Sequence, residues 1–280
     1  MLSYQHLYHV GNFADVLKHI VLIKVLTYFK SKQKPLCFID THAGSGAYRL
    51  HSMEAQKNQE FLNGIGALWQ QIRLPSGVAE YVDLIKQFNQ DGPLRAYPGS
   101  PLIASSVLTA SDRLFYYELH PAEVTILRSC FNKDKRIKIF NSDGLRDSLG
   151  LLPPIERRGV ILIDPSYEIK TEYQDVVTAL IALHKRFATG CYVLWYPVVD
   201  RLRNRQLERA LQNSGIKNIQ LFELGILPDD QDFGMTACGM IVVNPPWTLI
   251  ADMQQILPWL AATLGVGGQG KYRIEQLADE

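Results

Sequence analysis

Val160-Ile-Leu-Ile-Asp-Pro-Ser-Tyr167 decides the fold: an apolar run of four residues ends in a carboxylate, a proline and an aromatic ring. Such a run, bounded by turn residues, is the pattern of a strand buried on both faces, which would deliver Asp164 to the rim of a sheet. Pro165 fixes its own φ and drives Asp164 away from helical geometry, so the chain leaves the strand stiff and extended. The Asp164 carboxylate and nearby carbonyls then stand beside the flat face of Tyr167, a set of groups suited to gripping a planar amine. Taken alone, the tetrapeptide reads more readily as a strand end followed by a Pro-Ser turn; its neighbours change that balance.

Three upstream runs end the same way. Leu36-Cys37-Phe38-Ile39 runs into Asp40, Leu114-Phe115-Tyr116-Tyr117 into Glu118, and residues 137–140 into Asn141-Ser142-Asp143-Gly144. Helical patterns at 121–131 and 175–187 lie between them, so strands and helices alternate as a doubly wound α/β fold requires. In such folds ligands bind outside the carboxyl ends of the strands. Four acids along one edge suit a ligand carrying hydroxyls, amines or positive charge. Further strands are expected at 192–196, 219–224 and 240–243, giving seven in a mostly parallel sheet with helices on both faces. The last two, joined by a Pro-, Asp- and Gly-rich loop at 225–239, fit a terminal antiparallel pair.

The loop Asp40-Thr-His-Ala-Gly-Ser-Gly-Ala-Tyr48 follows the first strand directly, and Gly44 and Gly46 would let backbone approach a ligand closely. A dinucleotide fingerprint is disfavoured, because Arg49 stands where the third glycine belongs and the following segment is helical. A nucleoside is the favoured ligand. Residues 49–97 read as an inserted helical subdomain within a domain formed by 1–48, including an N-terminal helix at 12–30, and 98–280. Phe61, Leu62, Ile65, Leu68, Trp69 and Ile72 fall on one helical face, and Val78, Tyr81, Val82, Ile85 and Phe88 on another. The interrupted unit resumes at Pro98-Gly-Ser-Pro101, with Ser100 as N-cap of a helix over 102–108 and Pro101 in its first turn.

Composition is that of a globular chain: 280 residues, 47% hydrophobic, 20% charged, net charge +1. A polyanion site must therefore be a local patch. Cys37, Cys130, Cys191 and Cys238 have neither C-x-x-C pairing nor spacing suited to zinc, so no metal is expected and they read as reduced core residues. The start, Met-Leu-Ser-Tyr-Gln-His, lacks a basic region followed by an apolar stretch, and no segment approaches the roughly 20 apolar residues of a membrane span. A soluble, cytoplasmic chain is expected.

Longer strings along nearly the whole chain carry a resemblance: Leu2-Ser-Tyr-Gln-His6, Gly11-Asn-Phe-Ala-Asp-Val-Leu-Lys-His19, Asp40-Thr-His-Ala-Gly-Ser-Gly46, Tyr97-Pro-Gly-Ser-Pro101, Glu118-Leu-His-Pro121, Leu194-Trp-Tyr-Pro-Val-Val199 and Gly239-Met-Ile-Val-Val-Asn-Pro-Pro-Trp247. The chain resembles the S-adenosylmethionine-dependent amino-group methyltransferases, and among them the RlmJ family of 23S rRNA adenine-N6 methyltransferases. The resemblance implies a Rossmann-like class I methyltransferase with S-adenosyl-L-methionine as cofactor. It further implies 23S rRNA, free or partly assembled, as partner, no membrane association, and a monomer. It places Gly44 and Gly46 at the cofactor, Glu118 on the ribose hydroxyls, Asp143 and Gly144 at the adenine ring, and His19, His42 and Ser100 around the pocket, with Asp164 also reaching it. A ribose diol offers two donors to one carboxylate, a physical reason for Glu118. Lys18 and His19 lie on the N-terminal helix, where Val16, Ile20 and Ile23 would pack inward; either residue alone reads as exposed, and the resemblance assigns only His19 while leaving Lys18 as a candidate substrate contact.

The implied reaction is direct methyl transfer to an exocyclic amine whose lone pair is delocalised into the ring. Hydrogen bonds to Asp164 and to the Pro165 carbonyl would favour a pyramidal nitrogen and stabilise developing charge, while Tyr167 stacks on the base. The target adenine must be unpaired or flipped. Tyr4 is a candidate substrate contact by analogy, and Lys133, Lys135, Arg136 and Lys138, or Arg201, Arg203, Arg205 and Arg209, are candidate phosphate contacts. Ser166 departs from the family, which usually has a second proline there; it removes no proposed catalytic atom, so retained activity is expected. Asn244-Pro-Pro-Trp247 matches the amino-methyltransferase tetrapeptide better by spelling, but follows the seventh strand rather than the fourth. A DNA adenine or protein-glutamine methyltransferase, a dehydrogenase, and a non-catalytic RNA-binding protein of the same fold are the alternatives.

Overall fold

A computed structural model describes residues 6–229 and 234–280. Tyr4, the candidate substrate contact, lies outside the described residues. The main sheet contains β1 (Cys37–Asp40), β2 (Arg113–Tyr117), β3 (Ile137–Phe140), β4 (Gly159–Ile163), β5 (Cys191–Val198), β6 (Ile219–Gly225), β7 (Ala237–Val243) and β8 (Lys271–Ala278). Their spatial order is β8-β6-β7-β5-β4-β1-β2-β3. Strands β1 to β5 are mutually parallel, β7 runs antiparallel between β5 and β6, and β8 pairs antiparallel with β6 at one edge.

The sheet thus has eight strands, correcting the expected seven. β8 reads Lys-Tyr-Arg-Ile-Glu-Gln-Leu-Ala and buries only Leu277, so it lacks the apolar run that marks the others. Backbone pairing with β6 holds it, along with Arg273, which bridges to Glu208 at 3.0 Å and Glu223 at 3.2 Å. The continuous apolar character of the parallel strands follows from burial on both faces. Phe38, Tyr116, Leu162, Val193 and Met240 enter one core, and Cys37, Ile39, Tyr117, Ile163 and Leu194 enter the other.

Helix α1 (Phe13–Ser31) belongs to the first core. Its N-cap is Asn12, whose Oδ1 accepts from Ala14 N at 2.9 Å and Asp15 N at 3.1 Å. Val16, Leu17, Ile20, Val21, Leu22 and Leu26 are all buried, because the sheet lies on one side and other helices on the rest. Each such side chain contributes on the order of 1.5–3 kcal/mol. Lys18 and His19 are buried with them, at 6% and 1% exposure, which corrects the exposed reading that each residue alone invites.

Between β1 and β2 lie α2 (Met53–Asn58), α3 (Ile65–Trp69), α4 (Ser76–Phe88) and α5 (Ser100–Val107). Phe61, Ile65, Leu68, Val78, Tyr81, Val82 and Ile85 join the same core as α1. Leu62, Ile72 and Phe88 are exposed instead; Ile72 falls beyond the end of α3, so the single helical face expected through it does not exist. The chain returns to the sheet through a short antiparallel ladder in which Ala47–Arg49 pairs with Ala96–Pro98. Helices α6 (Pro121–Cys130), α7 (Gly144–Asp147), α8 (Glu172–Arg186), α9 (Arg201–Gln212) and α10 (Leu249–Leu264) complete the layers, with α8 and α9 covering the second core.

Candidate active site

The loops leaving β1, β2, β3, β4 and β5 surround one cavity of about 810 Å³, within the range of small-ligand sites. Lys18, His19, His42, Gly44, Ser100, Glu118, Gly144, Asp164, Pro165 and Tyr167 all line it. Gly46 and Asp143 do not appear in its wall. Gly46 has φ +78° and turns the chain, its carbonyl accepting from Gly99 N at 2.7 Å. Asp143 caps α7, its Oδ1 accepting from Leu145 N at 3.0 Å and Arg146 N at 3.3 Å. The strand order divides the cavity, with loops of β1 to β3 on one side and loops of β4 and β5 on the other.

On the β4 side, the Lys18 ammonium donates to Asp164 Oδ2 at 2.6 Å and also bridges Asp15 Oδ1 at 2.9 Å. Asp15, 2% exposed, takes Gly11 N at 2.7 Å and His6 Nε2 at 3.1 Å on its other oxygen. Burial pulls the Lys18 pKa down, but the Asp15 and Asp164 carboxylates outweigh it and hold the ammonium well above its ordinary range. Burial likewise opposes the Asp15 charge, yet His6 and Lys18 keep that carboxyl well below its ordinary value. Tyr167 has φ +55°, and its hydroxyl donates to the Trp195 carbonyl at 2.8 Å. Its ring centroid lies 4.5 Å from that of Tyr173 and 5.9 Å from that of Trp195, so the residue is fixed by an aromatic cluster.

On the other side, Glu118 accepts from Gly44 N at 2.9 Å and His120 N at 2.7 Å, which aims its carboxylate at the glycine loop. Burial nevertheless raises its pKa. Asp40 is fully buried at the end of β1 and is pushed up to about 7 by that burial. Its Oδ2 accepts from Ser100 Oγ at 2.7 Å. The backbone makes Ser100 the first residue of α5 rather than its N-cap, a position taken by Gly99 with no side-chain cap bond. The Ser100 hydroxyl gives its hydrogen to a buried carboxylate instead of serving a backbone cap.

Two histidines have defined protonation. Thr41 Oγ1 gives its single hydrogen to the Leu162 carbonyl at 3.0 Å, so it accepts from His42 Nδ1 at 2.8 Å. Burial lowers His42 to about 4, leaving a neutral ring whose Nε2 is an acceptor in the cavity wall. His19 Nδ1 pairs with Tyr97 Oη at 2.7 Å, itself 2.9 Å from Tyr81 Oη. Burial lowers His19 to about 3. His19 Nε2 and His120 Nδ1 are buried without hydrogen-bond partners among the described residues, and both residues line the cavity. Asp15, His6 and His120 were given no role from sequence, although they stand in the strings that carry the resemblance, and Asp40 was read only as the acid ending the first apolar run.

The basic clusters separate by role. Arg136 donates to the carbonyls of Leu108 at 2.6 Å and Ser105 at 3.0 Å and pairs with Asp134, so it closes the end of α5 instead of facing a ligand. Lys133, Lys135 and Lys138 are exposed at the far edge of the sheet. Arg201 is bound by Glu223 and Asp229, at 2.7 and 3.0 Å, whereas Arg203 lines the cavity. Asn244 has φ +51° and donates from Nδ2 to the carbonyls of Ala188 and Gly190, both at 2.8 Å. Because β7 runs antiparallel to β5, this turn lies at the end of the sheet opposite Asp164.

Comparison with known proteins shows the family. Residues 33–278 match the family described as "Ribosomal RNA large subunit methyltransferase D, RlmJ". The chain is 48% identical over 280 residues to "Ribosomal RNA large subunit methyltransferase J" of Escherichia coli (strain K12), covering all of both chains. It is also 48% identical over 281 residues to the Haemophilus influenzae protein of the same name, again at full coverage. A crystal structure of a Legionella pneumophila protein, 39% identical, superposes with a TM-score of 0.89 over 96% of this chain and 98% of that one. The chain belongs to the RlmJ family of ribosomal RNA large subunit methyltransferases.

Proposed function

We propose that this protein transfers a methyl group from S-adenosyl-L-methionine to the exocyclic N6 of a specific adenine in 23S rRNA. The observation that carries the reading is a single cavity shared by Glu118, at the end of β2, and Asp164, at the end of β4, with Lys18 holding Asp164 in place. The residues on the β1 to β3 side fit the cofactor. Glu118 supplies a carboxylate for a ribose diol, His19 Nε2 is a buried polar atom awaiting a partner, and carboxylates around the cavity favour a cation. When bound, the cofactor supplies an electrophilic methyl on a sulfonium.

N6 would receive that methyl as the neutral thioether leaves, and Asp164 would take the proton that the amine gives up. Lys18 occupies Asp164 Oδ2, which leaves Oδ1 to accept from the amino group together with the Pro165 carbonyl. These acceptors stabilise positive charge developing on nitrogen, and such preorganised contacts contribute about 10²–10³-fold in rate. Tyr167 provides the stacking face for the base. Asp143 and Gly144 flank the cofactor adenine, and His42 and Ser100 complete its pocket. Segment 49–97 acts as an insertion whose Glu60 and Asn63 wall the cleft. Among the described residues no helix is long and apolar enough to cross a membrane. The enzyme is proposed to meet its rRNA in the cytoplasm as a monomer.

Incubation with labelled S-adenosyl-L-methionine and separately purified rRNA, DNA and protein tests the reading. Label is expected in 23S rRNA alone, at one N6-methyladenosine. Asp164→Asn should lose methylation by about 10³-fold while cofactor binding stays within a few-fold. Loss confined to Asn244 variants would move the catalytic turn to the other end of the sheet. RNA binding without any transfer would identify a non-catalytic relative.

A further inference from the structure

Beyond the base pocket, the open end of the cavity carries two cations on separate elements. Lys170 follows Tyr167 by three residues on the loop after β4, and Arg203 sits on α9 after β5; both line the cavity. With buried Lys18, they are the lysine and arginine side chains in a wall otherwise rich in carboxylates. Lys170 is exposed and makes no hydrogen bond or ion pair with a described residue. Arg203 is half-buried, and its Nε is held by Asp200 Oδ2 at 3.0 Å, which leaves the two terminal nitrogens for another acceptor.

The α9 side of the rim is braced. Asn204 Nδ2 donates to the Pro197 carbonyl at 2.8 Å, and Arg201 ties α9 to Glu223 on β6 at 2.7 Å. Exposed apolar side chains stand beside the cations: Ile169 at 60%, Val199 at 63% and Leu202 at 63%. Cations alternating with apolar surface at the mouth of a base-sized pocket match a single strand, whose phosphates seek the charges while sugars and bases cover the apolar groups.

We propose that Lys170 and Arg203 clamp the backbone phosphates on either side of the adenosine that enters the cavity. The strand then crosses the mouth over β4 and β5, and the two charges set how deeply the target base reaches toward Asp164. This inference rests on the rRNA reading above.

The test is methylation of an RNA fragment containing the target adenine, followed over a salt series, for wild type and for K170A, R203A and the double variant. For a single strand, neutralising one phosphate contact lowers the slope of log(kcat/KM) against log[salt] by about 0.7, so the double variant should lose about 1.4. The loss should fall on KM for RNA, rising about tenfold or more at moderate salt, with S-adenosyl-L-methionine affinity and melting temperature unchanged. An RNA carrying methylphosphonates at the two flanking linkages should lose the same affinity with wild type and lose nothing further with the double variant. An unchanged salt slope, or additive losses with the neutral linkages, overturns the clamp. A slope that falls instead in K133A/K135A/K138A overturns it in favour of the far edge. If wild type itself fails to methylate the RNA, the rRNA reading has failed rather than the clamp.

Discussion

Lys18 Nζ lies 2.6 Å from Asp164 Oδ2, joining a helix near the start of the chain to the turn after β4, 146 residues away. The same ammonium reaches Asp15 at 2.9 Å, so one cation serves two carboxylates. Lys18→Met would leave Asp164 without its counter-charge and buried Asp15 with His6 alone, at a cost of about 3–5 kcal/mol in unfolding free energy. The double variant Asp15→Asn/Lys18→Met should recover part of that loss. Denaturant titration checks it, and a single-variant loss below about 1 kcal/mol would show that water, not Lys18, neutralises the pair.

Ser166 lines the cavity between Pro165 and Tyr167 and makes no side-chain hydrogen bond to a described residue. Ser166→Pro stiffens the turn without altering Asp164, Pro165 or Tyr167, so turnover is expected within about tenfold of wild type. Any gain in stability should be about 0.4–1 kcal/mol, from a more restricted unfolded chain. Single-turnover methylation decides the point, and a thousandfold gain would mark the natural turn as impaired.

Gly144 begins α7 against the loop after β1. A Cβ there would stand 2.3 Å from the Thr41 carbonyl oxygen and 2.6 Å from Thr41 Cα, both backbone atoms that cannot step aside. Gly144→Ala is therefore expected to separate the two loops, weakening S-adenosyl-L-methionine binding by about tenfold or more and costing about 1–3 kcal/mol. Gly150→Ala, where nothing lies within 4 Å, is the matched control with little effect. Calorimetric titration and thermal melting measure both.

Burial holds the His19 imidazole down to about 3. The unfolded chain binds that proton near pH 6.5, so the folded state is penalised as acid is added. Stability contributed by the neutral ring is present above about pH 6.5 and is lost as pH falls toward 3, at up to about 1.4 kcal/mol per pH unit. His19→Gln should flatten that part of the profile. Denaturant midpoints between pH 7 and 4.5 provide the comparison, and parallel profiles would assign the titration elsewhere.

The sequence by itself determined the parallel strands and the edge where chemistry gathers. Strands buried on both faces need continuous apolar runs, and a carboxylate breaks such a run, so Asp40, Glu118 and Asp164 announce themselves at the strand ends. The glycine turn and the antiparallel pair β6–β7 were equally legible, since positive φ and short connections leave local marks. Only the tertiary structure decided the rest. β8 is an exposed edge strand held by pairing and by Arg273, so no apolar pattern records it. Ser100 looked like a cap because local chemistry allows it, but α5 begins one residue earlier, and the hydroxyl donates to a buried Asp40, 60 residues away. The buried partnership of Lys18 with Asp164 arises because α1 is enclosed on all sides, and a helix read alone cannot show what will cover its polar face.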